Sequence, residues 1–248
     1  MKKVILMAVS AAAMLFAQGA KAQTNLQIFY DFGPDRQHVT TTLEGFYNDN
    51  WGNTFFFVDH DFGKDLNGKV LSPSGTYLEI ARCLNFWQDS ALAPLSLQVE
   101  YNGGVYNGYG INNAFLAGID YFVHNSDFSN TFNFKVLYKK IQNTAQNAPL
   151  QFTFVWGMQD IFGVKGLRFS GFADFWWEDH HLYSDHNGTI LPEHAHTVFI
   201  SEPQLWYNLG QHFGCDNFNI GGEVELSYNF GTAKGFWARP CAGVKWVF

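Results

Sequence analysis

Apolar and polar residues alternate with a period of two through most of the chain beyond its first two dozen residues. Between 218 and 230, Ile220, Gly222, Val224, Leu226, Tyr228 and Phe230 share one face, and Asn219, Gly221, Glu223, Glu225, Ser227 and Asn229 share the other. At the end of the chain, Phe236, Ala238, Pro240, Ala242, Val244, Trp246 and Phe248 stand opposite Trp237, Arg239, Cys241, Gly243, Lys245 and Val247. A helix would scatter these residues around its circumference, whereas a strand sorts them onto two faces. The same sorting sets Leu167, Phe169, Ala173, Phe175 and Trp177 against Arg168, Ser170, Phe172, Asp174, Trp176 and Glu178. It also groups Leu95, Leu97, Val99 and Tyr101, and then Phe132, Phe134, Val136 and Tyr138.

Continued along the chain, the pattern predicts about twelve strands, at 25–32, 38–48, 53–62, 75–86, 95–102, 113–123, 130–139, 150–162, 167–178, 197–209, 218–230 and 235–248. Two places sort poorly. Arg82 falls on the apolar side of its strand, and Asp59 and Asp61 follow three phenylalanines out of step with simple alternation. Connectors after odd-numbered strands are mostly longer (63–74, 103–112, 140–149, 179–196) than those after even-numbered ones, although 33–37 and 231–234 are short.

A secreted β-sandwich would alternate as well, with a polar face rich in Lys, Glu and Thr turned to water. Here the apolar face is heavily aromatic, and the other face carries Gly, Asn and carboxylates. Strands of about ten residues suit a tilted membrane crossing, while globular strands average about five or six. Trp51, Trp87, Trp156, Trp177, Tyr207 and Trp246 fall near strand ends, where an interfacial girdle would place them. Lipid offers no partner to an open sheet edge, so a spanning sheet must close. The expected fold is all-β: a closed antiparallel transmembrane barrel of about twelve strands, with short periplasmic turns and longer extracellular loops.

Composition fits an exported barrel. Lys2 and Lys3 precede an apolar run over 4–17, and Ala20, Lys21 and Ala22 make a small-x-small cleavage site, so residues 1–22 read as a secretory signal. Residues 23–248 then form one domain, without a linker or a shift in composition. Aromatic residues make up 18% of the chain, and charged residues 15%, against about 25% charged in a typical soluble domain. The formal charge is −7, and removal of Lys2, Lys3 and Lys21 takes it to −10, which argues against nucleic acid as a partner. Cys83, Cys215 and Cys241 are too few and too scattered for a disulfide framework or a zinc knuckle.

The last five residues, Val-Lys-Trp-Val-Phe ending at Phe248, resemble the terminal signal that the barrel-assembly machinery of the bacterial outer membrane reads. The segment Asn-Thr-Phe-Phe-Phe-Val-Asp-His-Asp-Phe-Gly (53–63), with the strand number and the length, resembles the nucleoside-specific channel-forming porins, the Tsx-like barrels. That resemblance implies a narrow monomeric outer-membrane channel with nucleoside sites inside it. It transfers no ligand residue.

If the apolar faces meet lipid, the opposite faces line the interior. The lumen candidates are Tyr77, Glu79, Glu100, Lys135, Arg168, Phe172, Asp174, Trp176, Glu178, Glu223, Glu225, Trp237, Arg239 and Lys245. A tight turn near 231–234 sets Glu225 beside Arg239 or Cys241. Rings among opposed charges suit a small polar solute with a flat base. The same charges could instead pair only to fill a non-conducting barrel. A third reading, an outer-membrane enzyme acting on lipid, rests on His124 and Ser126, and their turn is expected on the wrong side for outer-leaflet lipid. The segment 178–196 holds five of the nine histidines; its spacing fits no standard metal motif, and a solvated loop and a metal-binding loop both remain open. No cofactor, catalytic residue or metal ligand is assigned.

Overall fold

The computed structural model describes residues 22–64, 70–106, 108–146 and 148–248. The expected signal segment, apart from Ala22, lies outside the described residues. The strands are β1 (Ala22–Asp31), β2 (Val39–Asp49), β3 (Gly52–Lys64), β4 (Val70–Leu84), β5 (Leu95–Tyr106), β6 (Tyr109–His124), β7 (Asn130–Ile141), β8 (Leu150–Gln159), β9 (Leu167–Asp185), β10 (Gly188–Ser201), β11 (Gln204–Tyr207), β12 (Phe218–Tyr228) and β13 (Phe236–Val247). β10 and β11 both lie between β9 and β12, so they form one crossing interrupted at Glu202 and Pro203. Proline cannot donate to a ladder, which accounts for the break. β13 pairs with β12 through Glu225 and Arg239, and with β1 through Gln27 and Lys245. The sheet therefore closes as an antiparallel barrel of twelve crossings, with the predicted set of strands in the predicted order.

Burial is inverted relative to a soluble protein. Leu26, Ile28 and Tyr30 stand exposed on the outside, while Asn25, Gln27 and Asp31 are buried inside. Among the most completely enclosed side chains are Gln27, Gln98, Gln151 and Ser227. A wall that is apolar outward and polar inward is what a lipid solvent selects.

Both irregular places resolve. Asp59 and Asp61 continue the inward parity of Phe55 and Phe57, and Thr42 and Thr40 on β2 donate to them at 2.5 and 2.7 Å. Arg82 does point outward, but its guanidinium reaches the turn end of the barrel. There it meets Asp49 at 2.8 Å and Thr54 at 3.1 Å, so the stem lies along apolar surface and the charge leaves it.

Much of what the sequence presents as long loops is strand. β3 and β4 run into the 63–74 segment, β5 and β6 leave only 107–108 between them, and β9 continues for 19 residues. The expected loop at 179–196 is thus a β-hairpin that extends the wall. Its turn closes where Gly188 adopts φ +119°, and the Asp185 carboxylate accepts from the Asn187 N–H at 2.7 Å. Alternation in 179–196 is hidden from a sequence reading by its polarity, because no apolar face is needed above the bilayer.

The seam between β1 and β13 leaves little room. A Cβ on Gly243 would lie 2.4 Å from the Ile28 carbonyl oxygen and 2.8 Å from the Phe29 ring. Gly243→Val is therefore expected to weaken closure by about 1–3 kcal/mol. The unboiled, fast-migrating gel band should decrease, while the outward Val244→Ala control retains it; equal bands would refute the close approach.

A carboxylate-rich barrel interior as the candidate functional site

Strand parity carries the ionisable side chains to two walls of the interior. On the β4–β9 wall, the Tyr77 hydroxyl donates to Glu79 at 2.7 Å, and Gln98 donates to Glu100 at 2.6 Å while accepting from Lys135 at 2.8 Å. Asp120, Lys135, Thr153 and Asp174 fall in one cross-strand row. The Trp176 indole donates to Glu178 at 2.9 Å, and the Lys139 ammonium sits 3.7 Å above its ring. Asp174 Oδ1 is buried without a partner in the protein.

On the β12–β13–β1 wall, Glu225 accepts from Arg239 at 2.6 Å and from Arg36 at 2.5 Å. Arg36 belongs to the connector between β1 and β2, which also sends Asp35 to Arg239 at 2.8 Å and holds Arg36 3.3 Å from Asp31. Arg239 lies 4.8 Å from the Trp237 ring, which His186 of the β9–β10 hairpin stacks upon at 4.0 Å. Gln204 donates to Glu223 at 2.8 Å, and Glu202 lies near Glu223, Glu225 and Asp59. Lower on this wall, Lys245 sits 4.2 Å over the Trp206 ring, and Glu44 neighbours both Lys245 and Arg168.

All fourteen sequence-derived lumen residues thus face inward, divided between two walls. Phe172 and Trp176 join an apolar cluster with Leu116, Leu137, Val198 and Ile200 that narrows the interior on one side. Of the four rings offered for stacking, Trp176 and Trp237 already carry a protein cation. Sequence reasoning missed several members. Lys139 and Asp120 lie on the inward parity of β7 and β6, and Glu202 on that of the expected 197–209 strand, so the same argument reaches them; Asp59 is hidden by the phenylalanines that precede it on its face. Arg36 and Asp35 come from a short connector, which has no parity to read.

Among the described residues the interior carries twelve carboxylates: Asp31, Glu44, Asp59, Asp61, Glu79, Glu100, Asp120, Asp174, Glu178, Glu202, Glu223 and Glu225. Six cations face them: Arg36, Lys135, Lys139, Arg168, Arg239 and Lys245. A barrel filled for stability alone would balance these charges, because an uncompensated enclosed charge is costly. In number, carboxylate acceptors thus exceed cationic donors on the inner walls, an arrangement that suits cations and hydrogen-bond donors better than anions.

Elsewhere, His124 lies flat on Phe128 at 3.9 Å, with Nδ1 on the Asn125 carbonyl oxygen at 2.7 Å. No hydrogen bond joins His124 to Ser126 among the described residues.

The family described as "Domain of unknown function (DUF5020)" matches residues 22–248, and the chain belongs to it. No curated protein matches the chain in sequence. Among solved structures, the NanC porin is similar with a TM-score of 0.52 at 7% identity, over 90% of this chain and 97% of that one. The KdgM porin, solved in complex with disordered oligogalacturonate, has a TM-score of 0.48 at 10% identity, over 91% of this chain and 99% of that one. The likeness is one of fold, that of an outer-membrane porin barrel, and does not single out the nucleoside-specific barrels.

The Asp35–Arg239–Glu225–Arg36 network pins the β1–β2 connector. Burial pushes the Asp35 carboxyl up, but the Arg239 hydrogen bond and charge outweigh it and hold the group below its ordinary value of 3.8. A depressed carboxylate gives a tether that is complete above the ordinary Asp range and lost as pH falls through the lower folded value. Asp35→Asn should therefore open the connector at neutral pH, seen as faster tryptic cleavage after Arg36. Glu225→Ala, which leaves two enclosed guanidiniums short of a partner, should cost about 3 kcal/mol in urea unfolding. A loss under about 1 kcal/mol would contradict the pairing.

Proposed function

We propose that this family member is a narrow outer-membrane channel for passive uptake of small polar solutes, favouring neutral and cationic ones over anions. The observation that carries this reading is the carboxylate surplus on the inner walls of a closed porin-like barrel. Glu79, Glu100 and Asp174 on one wall and Glu202 and Glu223 on the other hold more acceptor sites than Tyr77, Gln98 and Gln204 engage, and so offer acceptors to ammonium groups and hydroxyls. Phe248 is exposed beside the seam, with its N–H bonded to the Thr24 carbonyl oxygen at 2.9 Å, which supports the reading that the barrel-assembly machinery recognises it. A single chain closes the wall by itself, which supports a monomer in outer-membrane lipid.

Within that class, nucleosides are the finer candidate. They are uncharged, and they carry hydroxyls and exocyclic amines suited to carboxylate acceptors. With Trp176 and Trp237 covered by Lys139 and Arg239, Phe57 and Tyr77, whose centroids lie 6.0 Å apart on the β3–β4 wall, offer rings for a base. A second reading, a non-conducting structural barrel, draws on the near-complete enclosure of Gln27, Gln98 and Leu137.

Liposome swelling separates these readings. With solutes of similar size, uptake should be fastest for a cationic or neutral solute, and about tenfold slower for an anionic one. Adenosine should enter, and Tyr77→Ala should slow adenosine more than a sugar. Absence of uptake for every solute would favour the structural barrel, and fastest uptake of the anion would overturn the charge argument.

A further inference from the structure

The β9–β10 hairpin sorts its histidines by face. On the side turned toward the barrel, His180 bonds the Asn229 carbonyl oxygen at 2.9 Å, His186 bonds that of Phe236 at 2.9 Å, and Leu182 and Ala195 are buried. These contacts dock the hairpin on the β12–β13 connector, supported by the Lys234–Glu193 ion pair at 2.7 Å. The opposite face looks away from the barrel and carries Asp179 and His181 from β9 with His194 and His196 from β10.

These outward residues converge. His181 and His194 are directly paired across the strands, with ring centroids 4.9 Å apart, and His194 and His196 are 4.7 Å apart. A register shift between Ala195 and Thr197 brings His196 over Asp179. Asp179 Oδ1 meets the Nδ1 of His196 and lies 3.8 Å from the Nδ1 of His194. The carboxylate oxygen and the two imidazole nitrogens all lie within 4.8 Å of one another, and no other such trio occurs among the described residues. A tetrahedral zinc site, with bonds of about 2.0–2.1 Å, sets its donors about 3.3 Å apart. Both imidazoles are about half exposed, which leaves them room to turn toward that spacing.

We propose that Asp179, His194 and His196, with His181 paired beside His194, form a binding site for a divalent transition-metal ion of the zinc class on the outward face of this hairpin. Two neutral nitrogens and a carboxylate oxygen suit zinc, and would suit copper or nickel by the same chemistry. The Asp179 carboxylate oxygen is hydrogen-bonded to His196 alone, and His194 Nδ1 at 3.8 Å is left without it as a partner. A bound cation would take the place of the one shared proton and give all three donors a partner. It would also clip β9 to β10 at the register shift, where the ladder is weakest.

The test is calorimetry of tag-free protein, folded in detergent, titrated with zinc chloride. The expected result is one zinc per chain at micromolar affinity, and binding about a hundredfold weaker or absent in His194→Ala/His196→Ala. His124→Ala/His212→Ala, altered at the opposite end of the barrel, should bind as the parent does. Heat-modifiable gel mobility shows that every variant is folded. No zinc binding by the parent, or equal binding by the His194/His196 variant, would overturn the proposal.

Discussion

A backbone that crosses lipid must satisfy every N–H and C=O within the protein, and the pairing of β13 with β1 is where this chain meets that constraint. Register from Asn25–Val247 to Asp31–Cys241 leaves neither edge strand open. Once the sheet is closed, side-chain direction follows from the pleat alone. Leu26, Ile28, Val244 and Trp246 must face outward, and Gln27, Asp31, Arg239 and Lys245 must face inward. The same pairing explains why Gly243 carries no side chain, since the Ile28 carbonyl oxygen occupies the place of its Cβ.

Closure also decides what the interior can be. Twelve crossings bring strands far apart in sequence onto facing walls, so that a connector residue, Arg36, meets Glu225 across 189 positions. One wall gathers Glu79, Glu100 and Asp174 around Lys139, and the other gathers Glu202, Glu223 and Glu225 around Arg36 and Arg239. The inward apolar cluster at Leu116, Leu137 and Ile200 narrows the space between them. Charge in excess of its partners, held in a confined space, is an arrangement for attracting something mobile. The outer end of the same wall, where no lipid constrains it, is free to carry polar chemistry on both faces, as the β9–β10 hairpin does.

Period-two sorting made most of this legible in advance. It placed all twelve crossings and the inward direction of Glu225 and Arg239, because a strand in lipid has one environment on each side; it left Glu225 beside Arg239 or Cys241, and the register selects Arg239. It failed where that contrast is absent. Residues 179–196 are polar on both faces, so a hairpin looked like a loop. The Arg36–Asp35 connector has no periodicity, so its reach into the barrel mouth left no trace in the sequence. Asp59 looked irregular only because Phe55 and Phe57 precede it on the same inward face. The convergence of Asp179, His194 and His196 depends on a register shift that no spacing rule announces.

The central claim, that a carboxylate surplus sets what passes through this barrel, is most directly tested by reversal potential. Purified protein in a planar bilayer under a potassium chloride gradient should conduct, with the potential shifted in the direction of potassium selectivity. Neutralising Glu44 and Glu100 together should bring it toward zero. Chloride selectivity in the parent protein, or a bilayer that stays silent, would contradict the account.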